Sequence, residues 1–463
     1  MIPAADGHET NCRQLMGKQS YHYQLTSGSI ARSLVSFTLP MMLGALLQQA
    51  YNLTDTWLVG RYIGPEALAA VGSSYTLMVF LISILWGLAM GSGTVVSLLY
   101  GAGEQSALRR SVFLSFSFVG VSSLLLTVGM LLGLDPVLRF LQVPAAVVHP
   151  MRAYLWIVFG GIPLVCLYNF YAAMLRAVGD SLTPLYFLAL SVGLNIGLDA
   201  LFILKFHGGI EGAAWATVVS QVVSAFGLMG YVGIRRPELR WRSEDVCWDK
   251  DCLKDVLAFS SLTCLQQSVM NFGILLVQGL VNSFGAVVMA AFAVAVKIDA
   301  FAYMPVQEFG NAFSTFVAQN YGAGQMERIR RGIKVAVWLA CSFSIFISVA
   351  VFCFAEHLMH LFVVASEHDL IAVGVQYLRI EGAFYVGIAC LFLLYGYYRA
   401  VRMPGMSVVL TVLSLGTRVA LSYLLVTVPG IGVQGIWWSI PIGWLLADVV
   451  GVVYYTYQKS LKQ

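Results

Sequence analysis

Apolar runs long enough to cross a bilayer recur along the whole chain, broken by short stretches that hold most of the charge or by Gly and Pro. A spanning helix needs roughly 20 such residues. Reading runs between breaks predicts twelve helices, at 33–59, 67–99, 111–134, 151–175, 184–206, 212–234, 256–281, 286–319, 333–355, 375–398, 406–428 and 433–457. Residues 1–32 are polar and mixed in charge, without the apolar core of a cleavable signal peptide. They read as a tail, with the first span acting as the insertion signal.

Composition agrees with that pattern. Of 463 residues, 59% are apolar and 11% charged, and mean hydropathy is +0.79. Soluble domains carry about 25% charged residues, so an all-α polytopic membrane protein is expected. The net charge is +4 with no basic block, which argues against nucleic acid, whose binding is dominated by phosphate neutralisation. The Lys and Arg residues provide a topology test. Twenty fall on the side of the termini, from Arg13, Lys18 and Arg32 through the cluster Arg235–Lys254 to Lys459 and Lys462. Arg61, Arg139, Arg152, Lys205 and Arg379 fall opposite, and Lys297 and Arg418 lie within spans. Both termini are therefore expected in the cytoplasm and the protein in the cell inner (plasma) membrane. The eight cysteines are scattered, with no CxxC pair, and read as small apolar residues.

The chain repeats itself. Leu47-Gln48-Gln49 recurs as Leu265-Gln266-Gln267, and Tyr100-Gly101-Ala102-Gly103 as Tyr321-Gly322-Ala323-Gly324. Arg109-Arg110 returns as Arg330-Arg331, Tyr154-Leu155 as Tyr377-Leu378 and Arg176-Ala177 as Arg399-Ala400, at offsets drifting from 218 to 223. Two six-helix bundles follow, at 33–234 and 256–457, joined by a cytoplasmic linker 235–255 and ending in a tail 458–463. Six being even, both copies enter the membrane in the same direction, so a pseudo-two-fold axis should run along the membrane normal, with substrate sites in the cleft between halves.

Function must reside in polar groups within spans, since a mid-bilayer charge costs roughly 2.5 to 3.5 kcal/mol on insertion scales. Gln48, Asn52 and Asp55 lie at i, i+4 and i+7, forming a polar stripe; the plainer reading of Asp55 is a hydrated carboxylate near the span end. Asn195 and Asp199, four apart, share a face. Neither acid has an acidic twin in the second half. Two carboxylates and an amide form an oxygen-rich cluster for a proton or a hard cation; interhelical packing is the alternative. In the second half, Lys297 and Glu308 are expected to neutralise each other, Asp299 and Glu381 are candidate cleft acids for cationic cargo, and Asp448 falls near the end of the last span. No clustered His ligands or nucleophile turn appears, so no enzyme activity is expected.

At this point the chain resembles a known family. Pro40–Gly72, with Tyr51-Asn52-Leu53-Thr54-Asp55-Thr56, Val59-Gly60-Arg61 and Ala69-Ala70-Val71-Gly72, together with the twin Tyr-Gly-Ala-Gly loops and the turn Leu175–Asp180, is similar to multidrug and toxic compound extrusion (MATE) antiporters along essentially its whole length. The resemblance implies export of amphipathic, often cationic small molecules in exchange for H⁺ or Na⁺, without other cofactor, by a monomer. It implies a cation site, serving Na⁺ as metal ligands if sodium is coupled, at Asp55, Asn195, Asp199 and Thr217. It also implies a hinge at Pro40, and Tyr154 and Asn169 near the substrate cleft beside Gln48, Asn52, Asp299 and Glu381. One departure is Ile388, where another branch of the family carries an acid. A lipid-linked oligosaccharide flippase of the same superfamily fold is the alternative; it should need several cavity cations, and only Lys297 and Arg418 are expected within spans.

Overall fold

The computed structural model describes residues 25–140, 145–364 and 366–461. Expectations placed on residues 1–24, including Cys12, Arg13 and Lys18, and on Lys462 lie outside them. The chain runs α1 Ile30–Tyr62, α2 Pro65–Ala102, α3 Gln105–Leu132, the short α4 Leu134–Phe140, α5 Ala145–Gly160, α6 Ile162–Ala177, α7 Leu182–Asp199 and α8 Gly209–Arg235. A second set follows: α9 Lys250–Asn282, α10 Ala286–Gly322, α11 Met326–His360, α12 His368–Gly382, α13 Tyr385–Ala400, α14 Pro404–Val426 and α15 Gln434–Leu461. Among the described residues, ten are long and apolar enough to span alone, and the bent pairs α5/α6 and α12/α13 qualify when each is taken as one span, which makes up to twelve. They fall in two bundles with separate apolar cores.

Spans four and ten are broken where the sequence reading made them continuous. α5 and α6 meet at Gly161 at 43°, and α12 and α13 meet at 51° across Ala383 and Phe384. Pro163 beyond the first break lacks the N–H that would carry the ladder backward. The linker also differs from expectation. Helix α9 begins at Lys250, within the segment read as linker, because the Asp249 carboxylate accepts from the Asp251 and Cys252 backbone N–H groups and caps it. The rest is strapped to the first bundle by Arg109–Asp245 at 2.9 Å, Arg110–Asp249 at 3.0 Å and the buried pair Arg236–Asp180.

The twin Tyr-Gly-Ala-Gly segments have two jobs. Their second glycines, Gly103 and Gly324, take left-handed backbone (φ +75° and +70°) and end α2 and α10 in matching turns, Glu104 N–H to Leu99 O and Gln325 N–H to Asn320 O. Their first glycines permit the bundles to touch. A Cβ on Gly101 would lie 2.0 Å from the Gln319 carbonyl oxygen, and one on Gly322 would lie 2.0 Å from the Leu98 oxygen. Nearer mid-membrane, Gly87 and Gly91 press on the α9 backbone at Cys264 and Phe259. There Ser92 and Ser260 hydroxyls lie 2.8 Å apart. These close approaches lie on the half of α2 nearer the termini side, so the cleft is shut toward that side.

Helix α1 belongs to both bundles. Its first turns place Leu34, Phe37 and Met41 in the second bundle's core, while Leu58 and Val59 sit in the first. Arg328 on α11 holds its approach, donating to the carbonyls of Leu25, Ser27 and Gly28. Pro40 lies inside the helix, between Phe37 and Met41 of the first anchorage.

Candidate functional site

The acids of the first bundle come together. Asp55 from α1 and Asp199 from α7 are both buried, with Asn195 and Thr217 (α8) beside Asp199. Oriented so that both ends are satisfied, the Asn195 amide donates to Asp199 Oδ2 at 2.9 Å and accepts from the Thr217 backbone N–H at 3.2 Å. The Asp55 charge bears on Asp199, and Tyr51 and Tyr154 lie in the field of both carboxylates. The Tyr51 hydroxyl is 3.4 Å from Thr217 Oγ1, which ties α1 to α8. Asp55 Oδ1 and Asp199 Oδ1 are buried without a hydrogen-bond partner. The hydrogen-bond register widens into a π-turn, Ala200–Lys205, directly after Asp199; such turns recur at functional sites.

Asp55 is buried, which sets aside the plainer reading of a hydrated span end. Tyr154 adjoins the same cluster. Other expectations are corrected here. Gln48 is exposed and Asn52 donates to Gln49 Oε1 at 3.2 Å, so the stripe does not extend into the site. The Asn169 amide is spent on the Val165 carbonyl of its own helix at 2.8 Å. Tyr51 was not singled out, although its i, i+4 spacing to Asp55 puts both on one face.

The second bundle holds a different buried set. Tyr385 O–H donates to Asp299 Oδ1 at 2.6 Å, and Arg418 bears on both Asp299 and Glu381. Asp299 and Glu381 are thus internal to the bundle among tyrosines, and do not line the cleft as expected. Lys297 and Glu308 do not neutralise each other: Lys297 is exposed, while Glu308 is buried and accepts from Asn311 at 3.4 Å. Eleven residues keep the two on nearly one face but set them about 16 Å apart along the helix, too far to pair. Asp448 lies midway along α15, with Oδ1 buried and unpartnered, not at its end.

Between the bundles, just inside the Gly101–Gly322 crossing, lies a half-open cavity of about 40 Å³. Met41, Trp86 and Met90 are its apolar lining; Arg176, Asn311 and Arg399 stand among its polar lining. A smaller space of about 10 Å³ shares Asn311 and Arg399 and adds Gln266, Gln267 and Gln307. Arg176 and Arg399, which the sequence reading placed on the side of the termini, line this cavity, and Lys297 and Arg418 do not.

The chain's relatives fit this arrangement. The MatE family model matches twice, over residues 40–201 and 263–424, two copies offset by the repeat interval itself. The Bacillus subtilis probable multidrug resistance protein YpnP is 30% identical over 94% of this chain and 97% of its own. YoeA of the same organism, also described as a probable multidrug resistance protein, is 28% identical over 94% and 95%. A solved structure described as the outward-facing conformation of a multidrug resistance MATE family transporter of the MOP superfamily superposes with a TM-score of 0.90 at 24% identity, covering 96% of this chain and all of that one. With twelve spans in two repeated bundles and a match to each repeat, the chain belongs to the MATE family of multidrug efflux transporters.

Proposed function

We propose that this protein is a secondary antiporter that exports small amphipathic molecules from the cell through the inner (plasma) membrane, both termini cytoplasmic, in exchange for H⁺ or Na⁺ bound at Asp55, Asn195, Asp199 and Thr217. One observation carries the reading: two carboxylates from different helices are buried together with an oxygen each left unpartnered. An ionised carboxylate in that setting is costly, so the ion that neutralises it stabilises whichever conformation holds the pair together. With the ion gone, mutual repulsion favours separating α1 from α7. Only such differential affinity can shift a conformational equilibrium. The Asn195 amide is engaged at both ends and Asp199 Oδ2 accepts from it, which leaves both Asp55 oxygens, Asp199 Oδ1 and the Thr217 hydroxyl as oxygens for a proton or Na⁺.

Pro40 would serve as the hinge, since it lies near the end of the part of α1 anchored in the second bundle, ahead of the part anchored in the first. The family sets the cargo as small molecules; cationic cargo loses the support of Asp299 and Glu381, which face Tyr385 and Arg418. The comparisons give no support to the flippase alternative. A monomer suffices, since one chain holds the whole site.

Efflux from vesicles under separately imposed proton and sodium gradients tests the reading. Asp199→Asn should abolish gradient-driven export in folded protein, and retained full activity would remove the site from contention. Thr217→Val should leave proton-driven export and remove any sodium-driven export.

A further inference from the structure

We propose that the cavity at the shut end of the cleft binds an oxyanion, a carboxylate or phosphate, on an amphipathic ligand, gripped between Arg176 and Arg399. The two arginines are repeat counterparts, each in the last turn of the second half of a bent span, α6 and α13. Their place at helix C-termini explains why cations are tolerated there. It does not explain why both face one cavity from opposite bundles. Arg399 is nearly wholly buried, its Nε donating to Ser314 Oγ and Nη2 to Asn311 Oδ1, both at 3.3 Å. Among the described residues neither arginine forms an ion pair, and Arg176 makes no hydrogen bond. Glu308 is a buried acid in the field of both, one carboxyl against two guanidinium groups.

Guanidinium groups match oxyanions in geometry as well as charge. The apolar lining of Met41, Trp86 and Met90 suits an apolar body, and the amides of Gln266, Gln267 and Gln307 extend the polar side. The site is reachable only while the bundles are apart on the far side, so it would seat cargo from both halves at once. This deepens the export reading by naming the charge of the cargo, and it is tested without any ion gradient, so that failure of coupling and failure of binding are separable.

The test is equilibrium dialysis of the full chain in micelles with three matched probes: 1-naphthylacetate, 1-naphthyl phosphate and the neutral 1-naphthylacetamide. The anions should bind at least about tenfold more tightly than the amide, a preference of the size expected for one desolvated charge contact. Arg176→Gln should erase that preference, so that acid and amide bind equally to the variant. Arg399→Lys, which keeps the charge of a buried position, should retain part of it. Equal binding of acid and amide to the unaltered chain, or a preference that survives Arg176→Gln, overturns the proposal. Repeating the assay in nanodiscs with and without phosphatidylglycerol separates the two sources of such a group. Displacement of the probe identifies a lipid headgroup as occupant, and no displacement identifies a soluble anion.

Discussion

Gly101 and Gly322 are two halves of one contact. Each lies against a backbone carbonyl of the opposite bundle, Gln319 for Gly101 and Leu98 for Gly322, and Leu98 stands to Gln319 as Gly101 stands to Gly322 in the repeat. This self-complementary exchange is what a two-fold interface requires, so the pseudo-symmetry axis passes between these residues. The shut end of the cleft lies on it.

Gly101→Ala should therefore open that end. Its methyl group would meet backbone and not a yielding side chain, and overpacking of this kind costs about 1–3 kcal/mol. Spin labels on the termini-side ends of α2 and α10 should report a longer separation in Gly101→Ala and an unchanged one in Gly120→Ala, where a Cβ meets open space. An unchanged separation in both would mean that the contact follows closure and does not set it.

Arg418→Met should unsettle the second bundle more than its exposure suggests. Asp299 and Glu381 would keep their burial and lose the cation that bears on both. Removing one partner from a buried charge set costs about 3 kcal/mol. Thermal unfolding should fall by several degrees, and Arg418→Met combined with Glu381→Gln and Asp299→Asn should recover most of the loss. No recovery would show that Arg418 acts through packing.

Asp180 ties three elements together: it accepts from the Thr183 N–H and hydroxyl at the start of α7 and pairs with Arg236 at the end of α8. Asp180→Ala should cost up to about 3 kcal/mol by removing one of the carboxylates paired with the buried Arg236 guanidinium and leaving Glu238 at 3.6 Å. Because α7 and α8 carry Asn195, Asp199 and Thr217, proteolysis of the Arg235–Lys254 segment should also quicken. A stable variant with an intact strap would place the anchorage elsewhere.

How much was legible in the sequence follows from what each signal measures. Apolar run length gave all twelve spans, because the bilayer imposes it directly. It could not show the breaks at Gly161 and Ala383–Phe384, since hydropathy is blind to direction. The site at Asp55, Asn195 and Asp199 was readable because buried acids are rare enough to stand out one at a time, and helical spacing joined two of them. Arg176 and Arg399 were missed for the opposite reason. They sit where charge is ordinary, at span ends, and only the tilt of the helices turns them into the cleft. Lys297 and Glu308 failed because sharing a helix face says nothing of what packs against each end of it.

Pro40 sits within the first anchorage of α1, near its end. Around it, Leu34, Phe37 and Met41 pack in the second bundle and Arg328 pins the approach; further along, Leu58 and Val59 pack in the first and the Asp55 charge bears on Asp199. A proline inside a helix removes one backbone hydrogen bond and crowds the preceding turn, at about 3 kcal/mol, so bending there is the least costly way for the bundles to move apart while α1 stays continuous. Pro40→Ala should restore the missing bond, raise the unfolding temperature and slow transport severalfold, with anion binding to the shut-end cavity unchanged. Arg328→Ala should act in the other direction, freeing the start of α1 and lowering the unfolding temperature. If Pro40→Ala transports at the original rate, the bundles rock without bending α1, and the ion at Asp55 and Asp199 must act through α7 and α8 instead.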